Sequence, residues 1–315
     1  MERKLVKHGP ASTILALPAQ WVRDQGLRAG DTVSVEPDGD KLIILKRRSD
    51  AAATVTITVD SKTNRTTLYH LIRAAYRDGA DKILVRFGTK KIIHHRSGEL
   101  VSVPVAIREE VSRLLGLEVV HQSDGQILLQ EITTPNGQEL PNLFRKVFTM
   151  TRMLIGQIGS AGIDEDIGVE ERHNTITKLV SYGVRLVNTG EAGLPGKERA
   201  RYLHSLMLID IIIDVLKYYR RENAPKQSAF VAELLLLFGD VERILFGHEF
   251  AAFDQFELRK AALRVKPIDR LLPITDVLAD MVLLYAGDFI SVGETSPEQY
   301  VVQQPQKHSR TTTNL

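Results

Sequence analysis

The sequence predicts a multidomain α+β protein in which a small β-rich unit, a small α/β unit and a six-helix bundle follow one another. Three observations carry this reading. Short alternating apolar runs separated by turn signals fill residues 1–50, strand and helix periods mix over 51–137, and a 3.6-residue period holds almost unbroken from Leu140 to about Asp288. A chain of 315 residues is long enough for two or three domains.

The first unit reads as β-β-α-β-β. Its strand runs are Arg3 to Lys7, Thr13 to Leu17, Thr32 to Glu36 and Lys41 to Arg47, separated by Gly9-Pro10, Gly30-Asp31 and Asp38-Gly39-Asp40. Pro18 opens a short helix, Trp21 and Val22 give it an apolar face, and Gly26 stops it. So small a unit buries little apolar surface by itself, and the chain has no cysteine to staple it, which leaves metal or oligomerisation, with dimerisation the simplest solution.

Over 51–137 the elements are a strand at Thr54 to Val59, a helix marked by Leu68, Leu71, Ile72 and Ala75, a strand at Lys82 to Phe87, a helix at Ile107 to Leu115 entered after Pro104, and closing strands at Leu117 to Val120 and Gln126 to Glu131. Pro135-Asn136-Gly137 ends this unit, which reads as a connector. Within it Arg86, Lys90, Lys91 and Arg96 form a basic run without an acid, either a further phosphate-contacting surface or a solvated face. His94 and His95, if on a strand, point to opposite faces and do not share a metal.

From 138 to 290 six helices are predicted, near 140–160, 168–190, 197–222, 226–249, 253–265 and 267–288. In the third, Asp210 and Asp214 interrupt an otherwise apolar run at i, i+4, and Asp276 and Asp280 repeat that spacing in the sixth. If such helices are buried, like charges one turn apart need a neutralising partner. That partner is either a metal ion or a cross-bundle cation, with Lys178, Arg172, Arg185 and Arg243 the candidates. The tail over 291–315, rich in Gln, Thr, Ser and Pro, is expected to be disordered.

Composition narrows the function classes. With 41 basic and 39 acidic residues the net charge is +2, so any nucleic-acid surface has to be local. The absence of cysteine excludes thiolate zinc sites, iron–sulfur clusters and cysteine nucleophiles, and confines a metal to His, Asp and Glu. No apolar run reaches the roughly 20 residues that span a bilayer and no secretory h-region follows the first residues, so a soluble, cytoplasmic protein without membrane insertion is expected. No phosphate-binding, dinucleotide, nucleophile-elbow or HExxH signature is present, and an enzyme is not predicted.

The local basic surface is at the N-terminus. Arg3, Lys4, Lys7 and His8 lie on and after the first strand, Lys46, Arg47 and Arg48 close the last, and Ser12 and Thr13 supply hydroxyls. Such a stripe suits double-stranded DNA, or a solvated edge guarded by lysines. The run from Lys7 to Trp21, then Gly26 to Val33, then Gly39 to Leu45, resembles the AbrB/MazE/SpoVT swapped-hairpin family over residues 2–48. The resemblance implies an obligate homodimer whose interlocked hairpins form one small β-barrel and bind DNA through Arg3, Lys4, Lys7 and the Gly9 to Thr13 loop. His8 and Pro10 depart from that family's usual loop.

Two three-helix units, each with an acidic i, i+4 pair on its last helix, resemble the PhoU family of phosphate-uptake regulators over about 140–290. That resemblance implies a divalent or iron-type metal at Asp210, Asp214, Asp276 and Asp280, with Glu171, Asn174, Asp254 and Glu257 in places from which the family adds ligands. A nearby His173, His204 or His248 would favour a transition metal. The order of all three units resembles a group of archaeal phosphate-uptake regulators. It implies a transcriptional regulator whose bundle senses or transmits phosphate status. The alternative is an adaptor acting on a phosphate transporter or sensor kinase, with the N-terminal unit serving mainly to dimerise.

Overall fold

A computed structural model describes residues 2–10, 12–38, 41–46, 54–95, 97–133, 136–160, 166–222, 228–249, 251–264 and 272–286. The fold is mixed α+β. Arg47, Arg48, Arg96 and the 291–315 tail lie outside the described residues.

At the N-terminus β1 (Leu5–His8) pairs antiparallel with β2 (Ser12–Leu15), α1 (Ala19–Asp24) follows, and β3 (Val33–Asp38) pairs antiparallel with β4 (Lys41–Lys46). Gly9 turns the first hairpin at φ +77°, a region that L side chains rarely adopt. The two hairpins are separate two-stranded sheets, and among the described residues no sheet closes into a barrel.

The next unit contains β5 (Thr54–Val59), α2 (Arg65–Arg77), β6 (Lys82–Phe87), β7 (Lys91–Ile93), β8 (Leu100–Ser102), α3 (Val103–Val111), β9 (Leu117–Ser123) and β10 (Gln126–Glu131). Its sheet runs β5-β6-β10-β9, with β5 and β6 parallel across the α2 crossover and the other pairs antiparallel. Asn64 caps α2 by accepting from the Thr67 amide at 2.9 Å. Leu68, Ile72 and Tyr76 on α2, with Ala106 and Ile107 on α3, close over Ile83, Val85, Ile127 and Leu129 of the sheet in one apolar core.

The structure corrects two readings of this unit. The helix expected at Ile107 to Leu115 begins four residues earlier, because Pro104 lies inside its first turn instead of before it. The β7–β8 pair, three residues per strand, was not read from the sequence; runs that short show no period.

Six further helices share a second core: α4 (Leu140–Ser160), α5 (Asp166–Thr189), α6 (Gly196–Glu222), α7 (Ser228–Gly247), α8 (Ala251–Arg264) and α9 (Leu272–Ala286). Phe144 and Phe148 of α4 stack edge-on with Phe246 of α7, and α6 packs on α9, so helices of the first three and the last three interleave around common apolar residues. Gly137, in the 3-10 turn that enters α4, sits so close to the loop after α5 that a Cβ would fall 1.8 Å from the Glu191 carbonyl oxygen. Among the described residues no helix is long and apolar enough to cross a membrane.

Candidate functional site

The α2–α5–α6 joint is where charge concentrates. α2 ends against α5, and carbonyls in its last turn and just beyond it accept from side chains of that helix. Arg185, only 1% exposed, donates to the Tyr76 and Ala80 carbonyl oxygens at 2.8 and 3.0 Å, and Asn188 donates to that of Arg77 at 3.0 Å. A cation at a helix C-terminus meets the negative end of its dipole, which helps Arg185 tolerate burial. Its guanidinium also lies 3.4 Å from Glu131 and 3.7 Å from Asp81.

The first aspartate pair faces this joint. Arg77 of α2 donates to Asp210 at 2.8 Å and to Ser181 Oγ at 3.1 Å, tying α2 to both α5 and α6. One turn on, His173 Nε2 of α5 lies 2.9 Å from Asp214 Oδ1. Partial burial pushes the Asp214 carboxyl up, but the His173 contact, with Lys217 and Arg73 nearby, outweighs it and holds Asp214 below the ordinary aspartate value.

These partners correct the expectation in two respects. The cation on Asp210 comes from the α/β unit and not from the bundle. Of the four bundle cations considered, Arg172 donates to Gln157, Arg185 caps α2, Arg243 pairs with Asp240 and Glu249, and Lys178 lines a cleft beside Arg65 and Arg113. The burial argument was also too strong: the Asp210 side chain is 18% exposed and that of Asp214 58%. Met207, Ile211 and Asp214 lie on a strip of α6 that the bundle leaves uncovered, so an apolar composition did not make this helix buried all round.

Asp276 and Asp280 are exposed on α9, as are Glu171 on α5 and Asp254 on α8, while Glu257 is bonded to Lys260 at 2.6 Å. Asn174 lines the cleft that also holds Lys178, and His204 and His248 are exposed. Among the described residues no group of three or more His, Asp or Glu side chains gathers where it would hold a metal ion. With Asp210 engaged by Arg77 and Asp214 by His173, the first pair does not suit a metal centre.

At the N-terminus Arg3, Lys4, Lys7, His8, Ser12 and Thr13 are all exposed on or beside the β1–β2 hairpin, so the structure keeps these predicted DNA contacts on one ribbon. Lys7 is opposite Thr13 and His8 opposite Ser12, whose hydroxyl donates to the His8 carbonyl. The apolar residues of this unit are exposed as well, Leu5 at 70% and Leu42 at 57%.

His94 and His95 are not on a strand. β7 stops at Ile93, and the turn that follows, closed by His94 Nδ1 against Ser97 Oγ at 2.9 Å, brings both imidazoles to one cleft beside α2. Sequence reasoning missed Arg73, Arg77 and Lys217 as site residues. The signal available for the first two was their own i, i+4 spacing on α2, the counterpart of the aspartate spacing on α6.

Compared with known proteins, the chain matches no family model, no curated protein and no solved structure.

Proposed function

We propose that this chain is a homodimeric DNA-binding transcriptional regulator linked to phosphate uptake. In this reading the N-terminal hairpins reach double-stranded DNA, and the α/β unit connects them to a bundle that transmits the signal. The observation that carries it is the coincidence, on one exposed hairpin, of apolar residues with no cover and of Arg3, Lys4, Lys7 and His8. Leu5, Val6, Ile14 and Leu15 in water are a standing cost that a second copy of the same hairpins removes, and closing two copies into one swapped-hairpin barrel is the expected geometry. The cations then lie on a twofold scaffold, the arrangement that reads a palindromic site. The residues at Asp210 and Asp214 favour transmission through ion pairs, and no step of the reading runs through a metal.

The test is fluorescence anisotropy on a duplex taken from upstream of the chain's own gene. Three cations per protomer give about six phosphate contacts per dimer, for which affinity falls about 10³-fold between 50 and 200 mM salt. Replacing Arg3, Lys4 and Lys7 by Ala weakens binding and flattens the salt slope. An affinity that is absent, or indifferent to salt, overturns the reading. It would favour the adaptor on a phosphate transporter or sensor kinase, for which the exposed Leu258 of α8 and Leu283 of α9 offer an apolar contact.

A further inference from the structure

We propose that the cleft between α2, the turn after β7 and helices α5 and α6 binds a small polyanion with adjacent phosphoryl groups, pyrophosphate being the smallest. The hollow has a volume of about 370 Å³, within the range of small-molecule sites. Its walls come from both units. Arg65 and Arg73 project from α2, Arg113 from the turn after α3, and Lys217 from α6, while Glu170 is the one carboxylate that lines it among the described residues. Glu110 stands behind this wall and Glu109 lines the adjoining hollow: Arg65 donates to Glu109 at 2.6 Å and Arg73 to the fully buried Glu110 at 2.8 Å. These carboxylates orient the two guanidinium forks; Arg73 keeps Nη1 unengaged among the described residues, while Arg65 is also held by Tyr69 Oη at 2.8 Å and His94 Nε2 at 3.3 Å.

Two cations have no carboxylate within ion-pair distance among the described residues, although the charge of Arg113 is felt by Glu109 and Glu110. Arg113 lies over the Tyr69 ring, 5.7 Å from its centroid, and Lys178 lines the adjoining hollow that shares Arg65 and Arg113. Neither forms an ion pair among the described residues. Five full cations therefore stand against Glu109, Glu110 and Glu170 around the joined hollows, and His70 and His95 line them too, while His94 accepts from Arg65 and is turned toward Ser97. A surplus of Arg and Lys on several walls of one concavity is matched by a ligand that carries several oxyanion charges close together. Arg forks select the geometry of phosphoryl oxygens. Arg113 and Lys178 line the same hollow as Arg65, and cations spread over two joined hollows fit adjacent phosphoryl groups better than a single one.

The inference deepens the proposed function, since a ligand held by α2 on one side and α6 on the other clamps the connector to the bundle. It is tested without DNA, so its failure and that of the DNA-binding reading are separate. Calorimetric titration of the full chain at constant ionic strength, with pyrophosphate, tripolyphosphate, ATP, orthophosphate and sulfate, is expected to give saturable binding of the first three. Orthophosphate and sulfate bind at least about tenfold more weakly. ATP no tighter than tripolyphosphate identifies an inorganic polyphosphate as the source, and ATP roughly tenfold tighter identifies a nucleotide. The Arg113→Gln, Lys217→Gln pair of changes weakens pyrophosphate at least about tenfold and Lys178→Gln about threefold, while Lys146→Gln, exposed on α4 and lining neither hollow, changes nothing. The ligand also raises the melting temperature of the wild type and not of the double variant. Absence of saturation by any of the three, sulfate equal to pyrophosphate, or wild-type affinity in both a folded double variant and Lys178→Gln would each overturn the assignment.

Discussion

Replacing Arg77 by Met tests whether the α/β unit and the bundle are mechanically one piece. The change keeps the aliphatic stem and removes the guanidinium that reaches Asp210 at 2.8 Å and Ser181 at 3.1 Å. Both side chains of the ion pair are mostly covered, Arg77 at 12% and Asp210 at 18% exposure. A charged hydrogen bond in such a place is worth roughly 1.5–3 kcal/mol, below the 3–5 kcal/mol of a fully buried pair, because Asp210 regains some water when its partner leaves. We expect a loss of about 2 kcal/mol, which for a unit of this size lowers the melting temperature by about 4–8 °C. The assay is urea denaturation followed by helical circular dichroism on wild type, Arg77→Met, Asp210→Asn and the double variant. The cycle isolates the pair and should return a coupling of about 1–2 kcal/mol. Arg172→Met, whose guanidinium contacts Gln157 and Met153 away from the joint, is the control and should cost less. A coupling under about 0.5 kcal/mol would show that the contact does not hold the two units together, and the reasoning built on it would fall.

Four other outcomes follow from the same geometry. Asp214 is held below its ordinary value, so its contribution to stability is present above pH 3.8 and is lost as pH falls through its lowered native pKa. Melting curves of Asp214→Asn should therefore decline less steeply with acid than those of wild type, by about 0.5–1 kcal/mol given its exposure, and parallel curves would contradict this. Arg73→Met strands Glu110, whose carboxyl burial already pushes up against the pull of Arg73; we expect a loss of about 3 kcal/mol at neutral pH that shrinks as acid protonates Glu110, and a pH-independent loss would count against it. Leu5→Asp should turn a dimer into a monomer in light scattering and weaken DNA binding by more than about tenfold, whereas a dimer of unchanged affinity would exclude β1 from the interface. Gly137→Ala drives a Cβ into the Glu191 backbone and should cost about 1–3 kcal/mol in denaturation, with wild-type stability the refuting result.

Long helices were legible because one apolar stripe repeats over four to seven turns: the run expected at 197–222 is α6 at Gly196–Glu222, and that at 140–160 is α4 at Leu140–Ser160. The Asp210/Asp214 pair was legible for the same reason, since i, i+4 spacing needs only the helix to be known. Its partner was not. Arg77 is 133 residues away in sequence and belongs to a unit with its own core, and no local pattern shows which face of α2 docks on α5. The exposure of Asp214 was hidden too, because an apolar helix of a bundle reads alike whether every side is covered or a strip is left for a neighbour. His94 and His95 were placed on opposite faces on the assumption of a strand. The three-residue β7 ends before them, and a turn obeys no alternation.

The acidic spacing on α6 and the basic spacing on α2 are best understood together. Two aspartates one turn apart repel, and alone they weaken the helix that carries them. Arg73 and Arg77 have the same spacing and share the same fault. Docked, each row relieves the other: Arg77 bonds Asp210, and the charges of Asp210 and Asp214 join that of Glu110 in holding Arg73 protonated against its burial. On separation Arg73 would keep Glu110 and Asp214 would keep His173, but Arg77 and Asp210 would lose each other, so the docked state gains chiefly from that one pair. Arg73 also faces the cationic cleft, where a polyanion would add to the charge that holds it. Binding there and docking of α2 on α6 draw on the same side chain. Any anion that occupies the cleft therefore changes how firmly the connector is held, and a net charge of +2, summed over the whole chain, gives no hint of it.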